Sequence, residues 1–151
     1  MKKAKIIAVF MALVLFLLGC GKDGISTDGF RGSSWGDTVE QVKENETAEL
    51  VHEQEQSLRY SDEFLGYACD FDYKFNDGKL FGCVCTLDVG DSDVDAAIST
   101  VNASIEKTYG KPTNESKAIT IYKKNNNMVG IYSGTKSVRI EIGENLMNKN
   151  D

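Results

Sequence analysis

Tyr67-Ala68-Cys69-Asp70-Phe71-Asp72-Tyr73-Lys74-Phe75-Asn76-Asp77-Gly78-Lys79-Leu80-Phe81-Gly82-Cys83-Val84-Cys85-Thr86-Leu87-Asp88-Val89 is the stretch on which the fold turns. Tyr67, Cys69, Phe71, Tyr73 and Phe75 alternate with Asp70, Asp72 and Lys74, and a side-chain period of two marks a strand with one buried and one wet face. Asn76-Asp77-Gly78 supplies the turn. Phe81, Cys83, Cys85, Leu87 and Val89 line one face of the returning strand. Both apolar sets share a face only if paired residue numbers sum to an even total. A three-residue turn meets that condition by pairing Phe75 with Lys79, Tyr73 with Phe81, Phe71 with Cys83 and Cys69 with Cys85. All three cysteines then fall on the buried face.

Cys69 and Cys85 stand opposite each other in this register, which leaves two readings. A disulfide forms if their β-carbons approach to ~4 Å. Alternatively, all three thiols are small core hydrophobes, and the burial preference of free cysteine favours this. A metal site is disfavoured because there is no Cys-x-x-Cys pair and no histidine near Cys83-x-Cys85.

Outward from this hairpin the elements are shorter. Trp35-Gly36-Asp37 opens a brief helix, with Asp37 as N-cap and Glu40 completing a capping box. Val39 and Val42 form its apolar side. Residues 48–60 carry Leu50, Leu58 and Tyr60 on one parity around a polar Glu53-Gln54-Glu55-Gln56 run, and read as one edge strand whose charge discourages pairing. Residues 92–109 form an amphipathic helix with Val94, Ala97, Ile98, Val101, Ile105 and Tyr109 along one stripe. Ser92 caps it, Asp93 and Asp95 sit in its first turn, and Gly110 and Pro112 end it. Strands over 119–123, 128–133 and 137–142 follow, with turns at Asn125-Asn126-Asn127 and Gly134-Thr135. The order predicts an α+β domain of two αβββ units, with helices packed on antiparallel sheet. The domain spans residues 35–143, with repeats over 35–90 and 91–143 and a polar tail over 144–151.

The N-terminus says where the chain goes. Lys2-Lys3-Ala4-Lys5 followed by an apolar run from Ile6 to Leu18 is a secretory signal, and the run is too short for a membrane span of ~20 residues. Its end, Leu17-Leu18-Gly19-Cys20, resembles the bacterial lipobox. That resemblance implies a signal peptide over 1–19, removal of that segment, a diacylglyceryl group on the Cys20 sulfur, and a flexible tether over 20–34. The mature chain then has 132 residues with 14 basic and 23 acidic side chains, and its net charge moves from −6 to −9. Such a polyanion is a poor nucleic-acid ligand, and attachment to a membrane rests on acyl chains rather than on a polybasic surface.

Phe30-Arg31-Gly32-x-x-Trp35-Gly36-x-x-x-Glu40-x-Val42-Lys43 resembles the opening of small bacterial lipoproteins, and Lys107-Thr108-Tyr109-Gly110-Lys111-Pro112 resembles their second landmark. Their organisation is similar to the β-lactamase-inhibitor-like fold and to the small lipoprotein of the outer-membrane assembly machinery. The resemblance implies a binding or scaffolding domain rather than a catalyst. Phe30 and Trp35 are either core aromatics or partner anchors, and the bulk of Trp35 favours the core.

Catalytic candidates are thin. His52, the single histidine, has no nucleophile signature beside it. Asp91, Asp93 and Asp95 fall at positions 1, 3 and 5 of a calcium loop, with Asp88 nearby. Ala96 and Asn102 stand where that loop needs glycine and glutamate, so helix capping explains these acids better. Asp70 and Asp72 read as solvated surface rather than an acid–base pair. The sequence therefore predicts a non-enzymatic, lipid-anchored envelope module on the extracytoplasmic side, with no cofactor beyond the lipid on Cys20 and with a protein partner. A receptor for a small ligand or peptide is the alternative.

Overall fold

The buried hairpin fixes everything around it. In the computed structural model, which describes residues 24–144, the chain runs β1 (Gly29–Phe30), β2 (Ser33–Ser34), α1 (Val39–Asn45), β3 (Glu49–Gln54), β4 (Ser57–Phe64), β5 (Tyr67–Asn76), β6 (Lys79–Asp88), α2 (Val94–Tyr109), β7 (Asn114–Glu115), β8 (Ile119–Lys124), β9 (Asn127–Ser133) and β10 (Ser137–Glu144). Cys20, the segment 1–19 and the tail beyond residue 144 lie outside the described residues. The architecture is α+β. β3 to β10 form one eight-stranded antiparallel sheet in the order β3-β4-β5-β6-β10-β9-β8-β7, and β1 and β2 form a separate small hairpin. Two four-stranded meanders, each preceded by a helix, thus meet at their last strands, β6 and β10. The repeat unit is αββββ rather than αβββ. The additional strand arises in the first half because residues 48–60 hold two strands, turning at Glu55-Gln56, and in the second half from the two-residue β7.

The register of the central hairpin differs from the expected one. Asp77 and Gly78 both take positive φ, 50° and 71°, so the turn has two residues and pairs Asn76 with Lys79. Such a turn suits the right-handed strand twist, but its odd pairing total would put the two apolar sets on opposite faces. A β-bulge repairs this. Pairing passes from Phe75–Leu80 to Lys74–Gly82, leaving Phe81 without an opposite residue, and Tyr73 then faces Cys83, Phe71 faces Cys85 and Cys69 faces Leu87. Extra residues of this kind are what a bulge supplies. Leu80 is therefore buried and Phe81 only partly so.

The covered face of the sheet carries Leu58, Tyr60, Phe71, Tyr73, Cys83, Cys85, Leu87, Tyr122, Ile131, Val138, Ile140 and Ile142, each at most 3% exposed. Against it lie Val42 of α1 and Ala97, Val101 and Ile105 of α2, all at 0%. Complete burial of one such aliphatic or aromatic side chain is worth about 1.5–3 kcal/mol. Thr38, not Asp37, caps α1: its hydroxyl accepts from Gln41 N while the Gln41 side chain accepts from Thr38 N. Asp37 instead accepts from Ser34 N. Asp93, not Ser92, caps α2, and Gly110 ends it at φ 79°.

The expected tether is shorter than 20–34. Ile25 is 7% exposed and bridges to Phe30, and Phe30 is 1% exposed. The Phe30 ring lies 5.6 Å from Phe71 and 5.7 Å from Phe64. Trp35 is partly buried against the same core.

Arg31 carries the other end of this contact. It is 3% exposed, with φ 50°, and its guanidinium lies over the Phe71 ring at 4.6 Å. Nε and Nη2 donate to Glu46 at 3.0 and 3.1 Å, and Nη2 also donates to Asp62 at 2.8 Å. The Glu46 carboxylate, with a side chain 2% exposed, further accepts from Tyr73 OH at 2.7 Å and from the backbone of Thr47 and Ala48. Burial alone would raise this carboxyl, but the bonds from Arg31, Tyr73 and Ala48 outweigh it and hold its pKa below the ordinary value.

A group whose pKa is depressed by folding stabilises the fold fully above its unfolded pKa and loses that contribution as pH falls through the folded one. Denaturant unfolding should therefore show wild-type stability falling as pH drops below about 4.3, the ordinary glutamate value. Glu46→Gln should lose about 3–5 kcal/mol at neutral pH, the usual cost of leaving a buried partner unpaired. It should also show a shallower acid limb. An unchanged acid limb would mean that Glu46 does not carry this linkage.

Candidate functional site

Among the described residues, the second face of the large sheet carries no helix. Register sets its rows. One runs His52, Arg59, Asp72, Val84, Glu141, Gly130, Ile121, and the next runs Glu49, Ser61, Asp70, Thr86, Arg139, Tyr132, Ile119. This surface crosses both halves of the molecule, because β6 and β10 pair at its centre.

Its charges are arranged in pairs. Arg59 donates twice to Asp72, at 3.1 and 2.9 Å, and Lys74 stands 3.9 Å from the same carboxylate. Arg139 pairs with Glu141 at 2.7 Å, and Tyr132 OH donates to Glu141 at 3.3 Å. Ser61 donates to Asp70. Pairs of this exposure contribute about 0–1 kcal/mol each to stability, so their consequence is order at the surface rather than strength of the fold. Gly82 and Gly143 face each other in the β6–β10 ladder, and a β-carbon on Gly143 would stand 2.5 Å from Phe81 O. Glycine there lets the two halves approach.

At the end of the sheet where β5 begins, Ala68 leaves a hollow of about 430 Å³ on the same face. Ser61, Asp70, Thr86, Asp88 and Ser137 supply its polar lining. Large apolar side chains exposed among the described residues are Leu50, Val51 and Ile119. The first two lie at the bulge of edge strand β3.

The residues singled out in the sequence separate. His52 is exposed on β3, away from the thiols of β5 and β6. Asp70 and Asp72 do share the open face, but Asp72 is engaged by Arg59 and Asp70 by Ser61. The aspartates considered for calcium have local work: Asp88 accepts from Gly90 N, Asp93 caps α2, and Asp91 pairs with Lys136. Among the described residues no group of three metal-ligating side chains converges.

Cys69, Cys83 and Cys85 are free and buried. Cys69 faces Leu87 rather than Cys85, so the two sit diagonally across the ladder. Contact with the Cys85 thiol, together with burial, pushes the Cys69 thiol up, and burial pushes Cys85 up as well. A thiol held protonated is a poor nucleophile.

Sequence reasoning did not find the Arg31–Glu46–Tyr73 cluster or the paired charges of the open face. The former gave no local signal, since its members lie far apart in the chain. The latter was legible as the polar parity of β4, β5 and β10 once partners were known. Comparison with protein-family models, with curated proteins and with solved structures found no match.

The native protein should resist a thiol-specific reagent at Cys69, Cys83 and Cys85 for as long as it stays folded, and all three should react in denaturant. Mass analysis of the labelled chain reads the count. Rapid labelling of any of them before unfolding would contradict their burial.

Proposed function

We propose that this chain is a lipid-anchored, non-catalytic module of a bacterial envelope that engages a protein partner through the open face of its sheet. The observation that carries the reading is the one-sidedness of the fold among the described residues: both helices and the β1–β2 hairpin cover one face, and none of these elements covers the other, which spans both halves. Most of its ionic side chains are already held by neighbours. Binding therefore costs less side-chain ordering there than on a surface of free lysines and glutamates. The anchor is Cys20, on the strength of the Leu17-Leu18-Gly19-Cys20 pattern, with the extracytoplasmic side as its location.

One observation favours a second reading. The hollow beside Ala68 is lined by hydroxyls and carboxylates and has the size of a site for a small polar ligand. Convergent polar groups support such a receptor, but the concavity is open and confined to one corner, so the broad face remains the better-supported surface.

Two experiments test the proposal. Cys20→Ala should shift the protein from the membrane fraction to the soluble extracytoplasmic fraction, and undiminished membrane retention would remove the anchor. A photo-crosslinking residue at Thr86, at the centre of the open face, should give a discrete adduct in living cells. Arg59→Glu should weaken that adduct, and the same crosslinker at Ala103 on α2 should not give it. Equal yields from Thr86 and Ala103 would argue against the face, and no adduct from Thr86 would shift weight to the hollow and a small ligand.

A further inference from the structure

The chain's start and its charge distribution point in one direction. Three residues, Gly21 to Asp23, separate the lipobox cysteine from Gly24, so the link is the four residue steps from Cys20 to Gly24. Fully extended they span ~14 Å. Gly24 O already accepts from Arg31 N, and Ser26 O accepts from Tyr109 OH at 3.1 Å. Phe30, which bridges to Ile25, packs on Phe64, Phe71 and Tyr73. The described chain therefore begins on the helix-covered side of the sheet, beside the C-terminal end of α2. The open face lies beyond both the sheet and a helix layer ~10 Å thick, so a link of this length leaves the end of α2, not the open face, the nearer to the plane in which Cys20 is anchored.

The same place is where the lysines gather. The protein is acidic as a whole, yet from Lys107 to Lys124 the sequence carries five lysines against the single acid Glu115. Of these, Lys123 has the open-face parity of Ile121 and Lys117 lies beside Ile98, while Lys107, Lys111 and Lys124 stand at this end. Lys107 is in the last turn of α2, Lys111 follows its Gly110 cap, and Lys124 Nζ donates to Thr108 O. Lys107, Lys111 and Lys124 are all exposed. Two acids share this end of the molecule. Glu106 lies 3.5 Å from the Tyr122 hydroxyl, and Asp28 accepts from Ser26 Oγ. By contrast, the first half carries acids at Glu40, Glu44, Glu49, Glu53, Glu55, Asp62 and Glu63.

We infer that the C-terminal end of α2, with Lys107, Lys111 and Lys124, rests against anionic lipid headgroups and thereby orients the domain with its open sheet face away from the bilayer. This rests on the lipid-anchor reading of Cys20. Acyl chains alone would hold the domain near the surface without fixing its rotation. Lysines within a Debye length of an anionic headgroup plane add an orienting attraction that salt screens. The acidic half is repelled by that same plane, which gives the rotation one preferred sense.

The test uses the lipid-modified full chain, purified from membranes and reconstituted into vesicles of phosphatidylcholine alone or with about one-third phosphatidylglycerol. Co-flotation with both vesicles reports the anchor. Amide hydrogen exchange then reports the orientation. Exchange over residues 106–113 should be several-fold slower on the phosphatidylglycerol vesicles, the difference should shrink in high salt, and K107E/K111E should abolish it while β4 and β5 exchange alike on both. Both substituted side chains are exposed, so the variant's unfolding midpoint should match the wild type. A midpoint drop would call for K107Q/K111Q, in which the same loss of protection is expected. Flotation with equal exchange on both vesicles, or protection on the open face instead, overturns the orientation while leaving the anchor standing. Failure to float with either overturns the anchor and the orientation with it.

Discussion

Glu46 is the group through which the separate parts of this fold are tied. It stands just past α1, and its two oxygens receive bonds from the N-terminal hairpin, from the sheet and from its own following backbone. A buried carboxylate is costly unless every lone pair is used, and here five donors use them. The dependence runs both ways: Arg31 sits at 3% exposure with Glu46 and Asp62 receiving its charge. A network of this kind is weak as a source of net stability beside an apolar replacement of equal volume, and strong as a penalty on any arrangement that separates its members. It fixes where the segment before α1 lies, and beside it Phe30 packs on Phe64, Phe71 and Tyr73 of the sheet.

Much of the fold was legible because a half-buried strand and an amphipathic helix write their periods directly into sequence. The alternation from Tyr67 to Phe75 and the stripe from Val94 to Tyr109 each name their buried side chains almost completely. Where reading and structure part, the cause is local. Asp77-Gly78 takes a two-residue turn, and the bulge at Phe81 that restores parity leaves no trace in an apolar–polar pattern, so the register slid by two residues and the cysteines ceased to face each other. Residues 48–60 hid a hairpin because β3 is exposed at every position. Without a buried side to alternate with, Glu49–Gln54 carries no period. Residues 24–34 looked like a tether by composition, and their order comes from Ile25, Phe30 and Arg31, whose partners lie far along the chain.

The open face was legible only in part. Its polar parity was visible along β5, yet the row that joins Arg59, Asp72, Val84 and Glu141 needs the β6–β10 pairing, a contact between strands on either side of α2. Sequence alone gives no reason for the last strand of each half, rather than the first, to meet at the centre. The structure supplies one. Gly82 and Gly143 face each other there, and a β-carbon on Gly143 would stand 2.5 Å from Phe81 O on the neighbouring strand.

The two faces divide the work that the sequence had assigned to the whole surface. Net acidity argued against any electrostatic attraction to a membrane, and for the molecule as a unit that argument stands. Charge is not spread evenly, however, and a surface reads the charge nearest to it within roughly 8–10 Å at cellular ionic strength. The end of α2 near Ser26 carries Lys107, Lys111 and Lys124, while α1 and β3, which carry Glu40, Glu44, Glu49 and Glu53, belong to the other half. On the proposed anchoring through Cys20, a short link, a covered face and a lysine-bearing helix end all favour one orientation, in which the paired charges of the open sheet point away from the membrane.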